Sequence, residues 1–89
     1  MANTSGGAAA KLAAEGLGGG GNIVSLDSCL TRLRVTVRDP RAVSDSMLGR
    51  SGALAVIRKG RTVEVAYGPR AAAVKESLEN ILKAHKSAL

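Results

Sequence analysis

Eighty-nine residues, with 13 Lys and Arg against 7 Asp and Glu for a formal net charge of +6, make one small basic domain with a single core and leave no room for a sizeable second one. The longest apolar run, Ala53 to Ile57, is far short of the roughly 20 residues that span a bilayer, and no charged-then-apolar leader opens the chain, so a soluble cytoplasmic domain is expected. A single cysteine excludes an internal disulfide and any Cys-x-x-Cys metal or redox motif, and with Tyr67 the only aromatic residue the core must be built from Val, Leu, Ile and Ala.

Residues 1–7 are small and polar and read as a disordered lead-in, with a single folded domain expected over 8–86. Ala8 to Glu15 are strong helix formers, stopped by Gly16 and the run Gly18 to Gly21. Ile23 to Leu26 is a brief apolar strand ended by Asp27-Ser28. From Thr31 to Val37 the pattern alternates: Leu33, Val35 and Val37 share one face, Arg32, Arg34 and Thr36 the other, which predicts a strand with both arginines on its polar side. Asp39-Pro40 breaks it. Val43 to Gly49 predicts a short helix capped by Ser44 and closed by Gly49. Leu54 to Arg58 and Thr62 to Tyr67 flank Lys59-Gly60 as a second hairpin. Pro69 fits the first turn of a helix over Ala71 to Lys86, where Val74, Leu78, Ile81, Leu82 and His85 recur at spacings of three and four. The order helix, strand, strand, helix, strand, strand, helix predicts an α+β fold, a four-stranded antiparallel sheet with three helices on one face. The order of the two hairpins within the sheet does not follow.

Cys29 has three readings. A packing cysteine is the general default, since a free thiol behaves as a small hydrophobe. Its polar neighbours Asp27, Ser28 and Thr31 argue against that, and a redox role has no resolving cysteine in the chain. The third reading is a nucleophile that carries a phosphoryl group. Fixed positive charge three and five residues downstream suits a reactive thiol and an anion bound on it. The phosphatase pattern of Cys, five residues and Arg fails, because Val35 occupies the last position. A hairpin loop whose Ser28, Leu30 and Thr31 amides face the thiol would support a bound phosphoryl group, with the Thr31 hydroxyl as a further donor and Asp27 orienting the loop.

The segments Gly20-Gly21-Asn22-Ile23, Leu26-Asp27-Ser28-Cys29-Leu30-Thr31-Arg32-Leu33-Arg34-Val35-Thr36-Val37, Leu48-Gly49 to Gly52-Ala53 and Val63-Glu64-Val65-Ala66-Tyr67-Gly68-Pro69 together resemble the enzyme IIB domain of the bacterial phosphoenolpyruvate-dependent sugar phosphotransferase system, glucose family. The resemblance runs from the first helix to Leu82, and its Asp-x-Cys-x-Thr-Arg-Leu-Arg block is highly specific. It implies a split α/β sandwich and a phosphotransferase. In that role Cys29 accepts a phosphoryl group from a phosphohistidine of enzyme IIA and passes it to a sugar, N-acetylglucosamine or glucose, held by the membrane component enzyme IIC. Arg32 and Arg34 match the arginines beside the family's active cysteine, and Asp27 and Thr31 its flanking positions. The resemblance further implies a place at the inner face of the membrane through enzyme IIC, either free-standing or part of a longer chain; a monomer is expected, and since no metal-ligand cluster is evident in the chain itself, neither a metal nor another cofactor is expected. One departure is Glu64, where glucose-type domains carry glutamine: near the site it would pair with an arginine, and on an open strand face it would do nothing.

The rival class is a regulatory or nucleic-acid-binding α/β module using the basic surface. The stacking aromatics and basic helix that usually accompany such binding are missing, so no nucleic-acid partner is expected. Leu30 and Tyr67 are expected to form the apolar centre of a partner-docking patch. Met47 and Leu48 are read as packing of the short helix, Lys83 and Lys86 as a solvated end, and His85 as an ordinary residue near a helix C-terminus rather than a phosphoryl acceptor.

Overall fold

The computed structural model describes the backbone over residues 5–88 and side-chain surroundings over 8–83. Helix α1 (Ser5–Gly16) leads through a 3-10 turn into strand β1 (Ile23–Cys29). Strand β2 (Arg32–Val37), helix α2 (Asp45–Arg50), strands β3 (Ala55–Lys59) and β4 (Thr62–Ala66), and helix α3 (Ala71–Ala88) follow. The strands pair antiparallel throughout in the order β1-β2-β4-β3, so β2 and β4 are central and the two hairpins meet along them.

The alternation in β2 sets the layers. Leu33, Val35 and Val37 are fully buried, as are Val63 and Val65 on β4, and they face Leu17, Leu48, Val74 and Leu78 from the helical side. Directly paired residues of neighbouring strands point to the same face. The opposite, open face therefore carries Asp27 and Cys29 from β1, Arg32 and Arg34 from β2, Glu64 from β4 and Ile57 from β3. With Tyr67 the only aromatic in the core, the helices close the gap by approaching: α1 presents Ala9, Ala10, Ala13 and Ala14 and packs on α3 and α2. A Cβ at Gly16 would sit 3.0 Å from Leu48, so only glycine lets α1 and α2 come this close.

Asn22 joins the layers at one corner. Its buried side-chain amide donates to the carbonyls of Leu17 (2.7 Å) and Asp39 (3.1 Å) and accepts from the Asp39 amide (2.9 Å), tying the end of α1 to the segment after β2. At the other corner Tyr67 is 2 % exposed on the helical side. Its hydroxyl lies 2.6 Å from Ser51 Oγ, which donates to the Leu48 carbonyl, so the phenol fastens the end of α2.

Several boundaries differ from the sequence expectation for identifiable reasons. The first helix starts at Ser5, continuing the helix of the alanine run back through Gly6 and Gly7 despite their low helix preference; the rest of the expected lead-in lies outside the described residues. Strand β1 continues through Asp27 and Ser28 to Cys29, because pairing with β2 outweighs the low strand preference of those residues. Ser44 caps α2 as expected, its hydroxyl accepting from the Met47 amide, but Gly49 lies inside the helix and the chain turns at Gly52, whose φ of 102° favours glycine. Pro69 belongs to a 3-10 turn ahead of α3. Leu48 is buried and Met47 half-buried, as read; the side chains of His85 and Lys86 lie outside the described residues.

Two expectations test this packing. Asn22→Ala removes the partner of the buried Leu17 carbonyl and of the part-buried Asp39 amide and is expected to cost about 2–3 kcal/mol, a fall in the thermal midpoint of roughly 10–20 °C; an unchanged midpoint would contradict the clasp. Burial holds the Tyr67 phenol above its ordinary pKa of 10.0, opposed by the Ser51 hydrogen bond and the Arg70 charge. The folded state therefore favours the protonated phenol, a contribution present below pH 10 and lost as pH rises through the raised value. Tyr67 is the only tyrosine and there is no tryptophan, so ultraviolet phenolate absorbance reports it alone: the midpoint should lie above 10.0 in the native chain and return toward it in denaturant.

Candidate functional site

The β1–β2 hairpin closes with a two-residue turn, Leu30-Thr31, which puts Cys29 directly opposite Arg32. Paired Cα atoms in such a ladder are about 5 Å apart, so the thiol and the root of the Arg32 side chain are neighbours on the open face. Arg34 follows two residues along, opposite Asp27 on one side and Glu64 on the other. The turn is braced from the sheet centre, where the Thr31 carbonyl accepts from the amides of Tyr67 (3.0 Å) and Gly68 (3.1 Å).

Within this frame Cys29, Leu30, Thr31, Arg32, Arg34 and Glu64 line one hollow of ≈ 350 Å³, open to solvent. Cys29 is a free, exposed thiol. Glu64 bridges both arginines: Oε1 lies 3.2 Å from Arg32 Nη1 and Oε2 3.4 Å from Arg34 Nε. Both arginine side chains are more than half exposed, so each pair contributes at most about 1 kcal/mol. Their effect is orientation: one carboxylate holds two cations side by side next to a thiol. A phosphate-sized anion placed in the hollow would meet two guanidinium groups, the Thr31 hydroxyl and the backbone of a tight turn, donors of the kind that hold phosphoryl oxygens.

Five of the residues anticipated from sequence come together here: Cys29, Leu30, Thr31, Arg32 and Arg34. Asp27 stands on the same face beside Arg34 without lining the hollow, and its Oδ1 accepts from the Ser28 amide at 2.9 Å. Two expectations are corrected. Ser28 pairs with the buried Leu33, so its side chain faces the helices, and its amide is taken by Asp27 rather than aimed at the thiol. Tyr67 cannot centre a docking patch, because it is buried with its hydroxyl committed to Ser51. The exposed apolar residue beside Leu30's end of the sheet is instead Leu54, 77 % exposed, whose amide donates to the Ala66 carbonyl in the row that also contains Arg32 and Cys29. Nothing in the local pattern distinguished it from a core strand residue. Glu64 was marked in sequence only by the identity of the residue, and its place beside the arginines depends on β4 lying next to β2.

Leu30 is the one non-glycine residue with positive φ (55°) among the described residues, and it is 91 % exposed. A left-handed conformation costs a leucine about 1–2 kcal/mol relative to its preferred regions, and such strain concentrates at functional sites. Leu30→Gly should relieve it and, after the greater freedom glycine has when unfolded, raise stability by up to about 1 kcal/mol; a lowered thermal midpoint would show that the leucine is not strained.

The family model described as "phosphotransferase system, EIIB" matches residues 14–43, the stretch containing Cys29, Arg32 and Arg34. The chain is 43 % identical over 67 residues to the PTS system glucose-specific EIICBA component of Streptococcus pneumoniae, an alignment covering 74 % of this chain and 9 % of that protein. It is 39 % identical over 70 residues to the PTS system N-acetylglucosamine-specific EIICB component of Bacillus subtilis, covering 78 % of this chain and 16 % of that one. It thus spans a small part of the length of these relatives. In three dimensions it superposes on one domain of the PTS system IIabc component from Clostridium difficile with a TM-score of 0.79, over 90 % of this chain and 86 % of that one at 23 % identity, which shows a shared fold. With the thiol and both arginines inside the matched stretch and the fold in agreement, the chain belongs to the EIIB family of the phosphotransferase system, glucose type.

Proposed function

We propose that the chain is a phosphocarrier that receives a phosphoryl group on Cys29 and delivers it to a sugar. The observation that carries this reading is the placement of an exposed thiol directly across the ladder from Arg32, in one hollow with Arg34 and Thr31. In the first transfer the Cys29 sulfur, as thiolate, attacks phosphorus in line on a phosphohistidine of enzyme IIA. The S–P bond forms, the N–P bond breaks and its electron pair returns to the imidazole. In the second, a sugar hydroxyl oxygen attacks phosphorus, the S–P bond breaks, Cys29 leaves as thiolate and the hydroxyl proton passes to a base or solvent. Both steps place charge on the phosphoryl oxygens, where preorganised donors act. Arg32 and Arg34 supply planar forks to those oxygens, and the Leu30 and Thr31 amides with the Thr31 hydroxyl supply the rest.

The similarity to EIICBA and EIICB components supports enzyme IIC as the membrane-bound partner that presents the sugar. Their printed specificities favour glucose or N-acetylglucosamine as the acceptor. No helix of the described residues is long and apolar enough to cross a membrane, so in this reading contact with the membrane runs through enzyme IIC. Enzyme IIA docks as donor over Leu30 and Leu54, apolar groups that both reach solvent at the Cys29 end of the sheet.

Incubation with phosphoenolpyruvate and the upstream phosphocarriers, followed by intact mass measurement, is expected to add one phosphate to the native chain and none to Cys29→Ser, which should fold normally because the thiol is exposed. Phosphate retained on Cys29→Ser, or none on the native chain, would refute the assignment.

A further inference from the structure

The strand order puts Arg32 and Arg34 between two anion positions. Cys29 stands on β1 to one side and Glu64 on β4 to the other, each one strand from β2. Neighbouring strands lie about 4.8 Å apart and Glu64 is two residues along from the row of Cys29, so thiol and carboxylate are rooted roughly 12 Å from each other with the arginines between them. Both oxygens of Glu64 are engaged, Oε1 by Arg32 at 3.2 Å and Oε2 by Arg34 at 3.4 Å. A phosphoryl group on Cys29 would ask the same of the same two cations. Four charged residues stand on this part of the face, Arg32, Arg34, Asp27 and Glu64, and their formal charges cancel before any phosphoryl group arrives. Asp27 forms no ion pair with either arginine among the described residues, both pairing with Glu64, and its Oδ1 accepts from the Ser28 amide. Glu64 is the group that occupies them.

We propose that Glu64 is an internal competitor for the two arginines, holding them in the free chain and surrendering them to the phosphoryl group on Cys29, so that the phosphocysteine is less stable and a better donor than it would be beside a neutral residue. The proposal rests on the reading of Cys29 as the phosphoryl acceptor. It makes Glu64 a positioning residue, acting on the transferred group through Arg32 and Arg34. A phosphoryl group moves between carriers of comparable transfer potential, and losing two ion pairs on arrival raises the free energy of the loaded state without blocking access to it. The pairs are partly exposed, which sets the scale: enough to shift an equilibrium and too weak to lock the arginines away.

The test uses Glu64→Gln, which keeps side-chain size and removes the charge, with Glu76→Gln as a control of equal charge change on an exposed position of α3. At a fixed ratio of phosphorylated to free donor, the equilibrium fraction of phosphocysteine is expected to rise about five- to ten-fold in odds for Glu64→Gln, the scale of two partly exposed ion pairs, and to stay put for Glu76→Gln. Independently, titration of the unphosphorylated chains with inorganic phosphate, followed at the side-chain N–H resonances of Arg32 and Arg34, should show about five- to ten-fold tighter binding in Glu64→Gln alone. Equal phosphate binding in native and Glu64→Gln chains, or an equal effect from Glu76→Gln, would overturn the proposal. Tighter phosphate binding in Glu64→Gln with no phosphocysteine in any chain would uphold the competition and refute Cys29 as acceptor, so the two failures are distinguishable.

Discussion

The register between β1 and β2 is the constraint from which the site follows. Burial of Leu33, Val35 and Val37 under the helices fixes which face of β2 is which, and a slip of one residue would drive Arg32 and Arg34 into a core that holds no partner for them. With that face fixed, a turn of two residues leaves no choice about what stands opposite Arg32. The thiol is placed by hydrophobic packing on the other side of the sheet, and the tie from the Thr31 carbonyl to Tyr67 and Gly68 transmits the rigidity of the core to the turn.

Stability and chemistry pull apart at that turn. A leucine with φ of 55°, projecting into solvent, is unfavourable for folding by itself, and the buried side-chain clasps of Asn22 and Tyr67 contribute stability that can offset the strain. The arginine pair shows the same division. Two half-exposed ion pairs add little to stability, while in the proposed competition they are weak enough to give way to a phosphoryl group. Glu64 is ion-paired through both oxygens, with a hydrogen bond from Arg32 alone, and lies at the edge of an open hollow.

Much of this was legible in the sequence because it depends on short-range periodicity. The alternation from Arg32 to Val37 predicts both the core face and the shared face of the arginines, and the glycine and proline positions separate the elements in their observed order. The Asp-x-Cys-x-Thr-Arg-Leu-Arg block and its family resemblance point to the candidate site. What stayed hidden depends on contacts far apart in the chain. The strand order β1-β2-β4-β3 decides that Glu64 meets the arginines, and no local pattern encodes which edge of one hairpin joins the other. Ser28 looked like a loop donor because strand β1 was expected to stop early. Pairing carries it through Cys29, and that extension alone turns the Ser28 side chain inward. Tyr67 beside a reactive turn looks like a surface aromatic until the Ser51 hydroxyl, sixteen residues earlier, supplies its buried partner.

The central claim is that one pair of arginines serves Glu64 in the free chain and the phosphoryl group in the loaded one. A structure of the chain with phosphate on Cys29 tests it most directly. The account predicts that Arg32 and Arg34 place guanidinium N–H groups within hydrogen-bond distance of the phosphoryl oxygens, with both Glu64 contacts of 3.2 and 3.4 Å opened. Arginines still seated on Glu64 beside a phosphorylated Cys29 would contradict it.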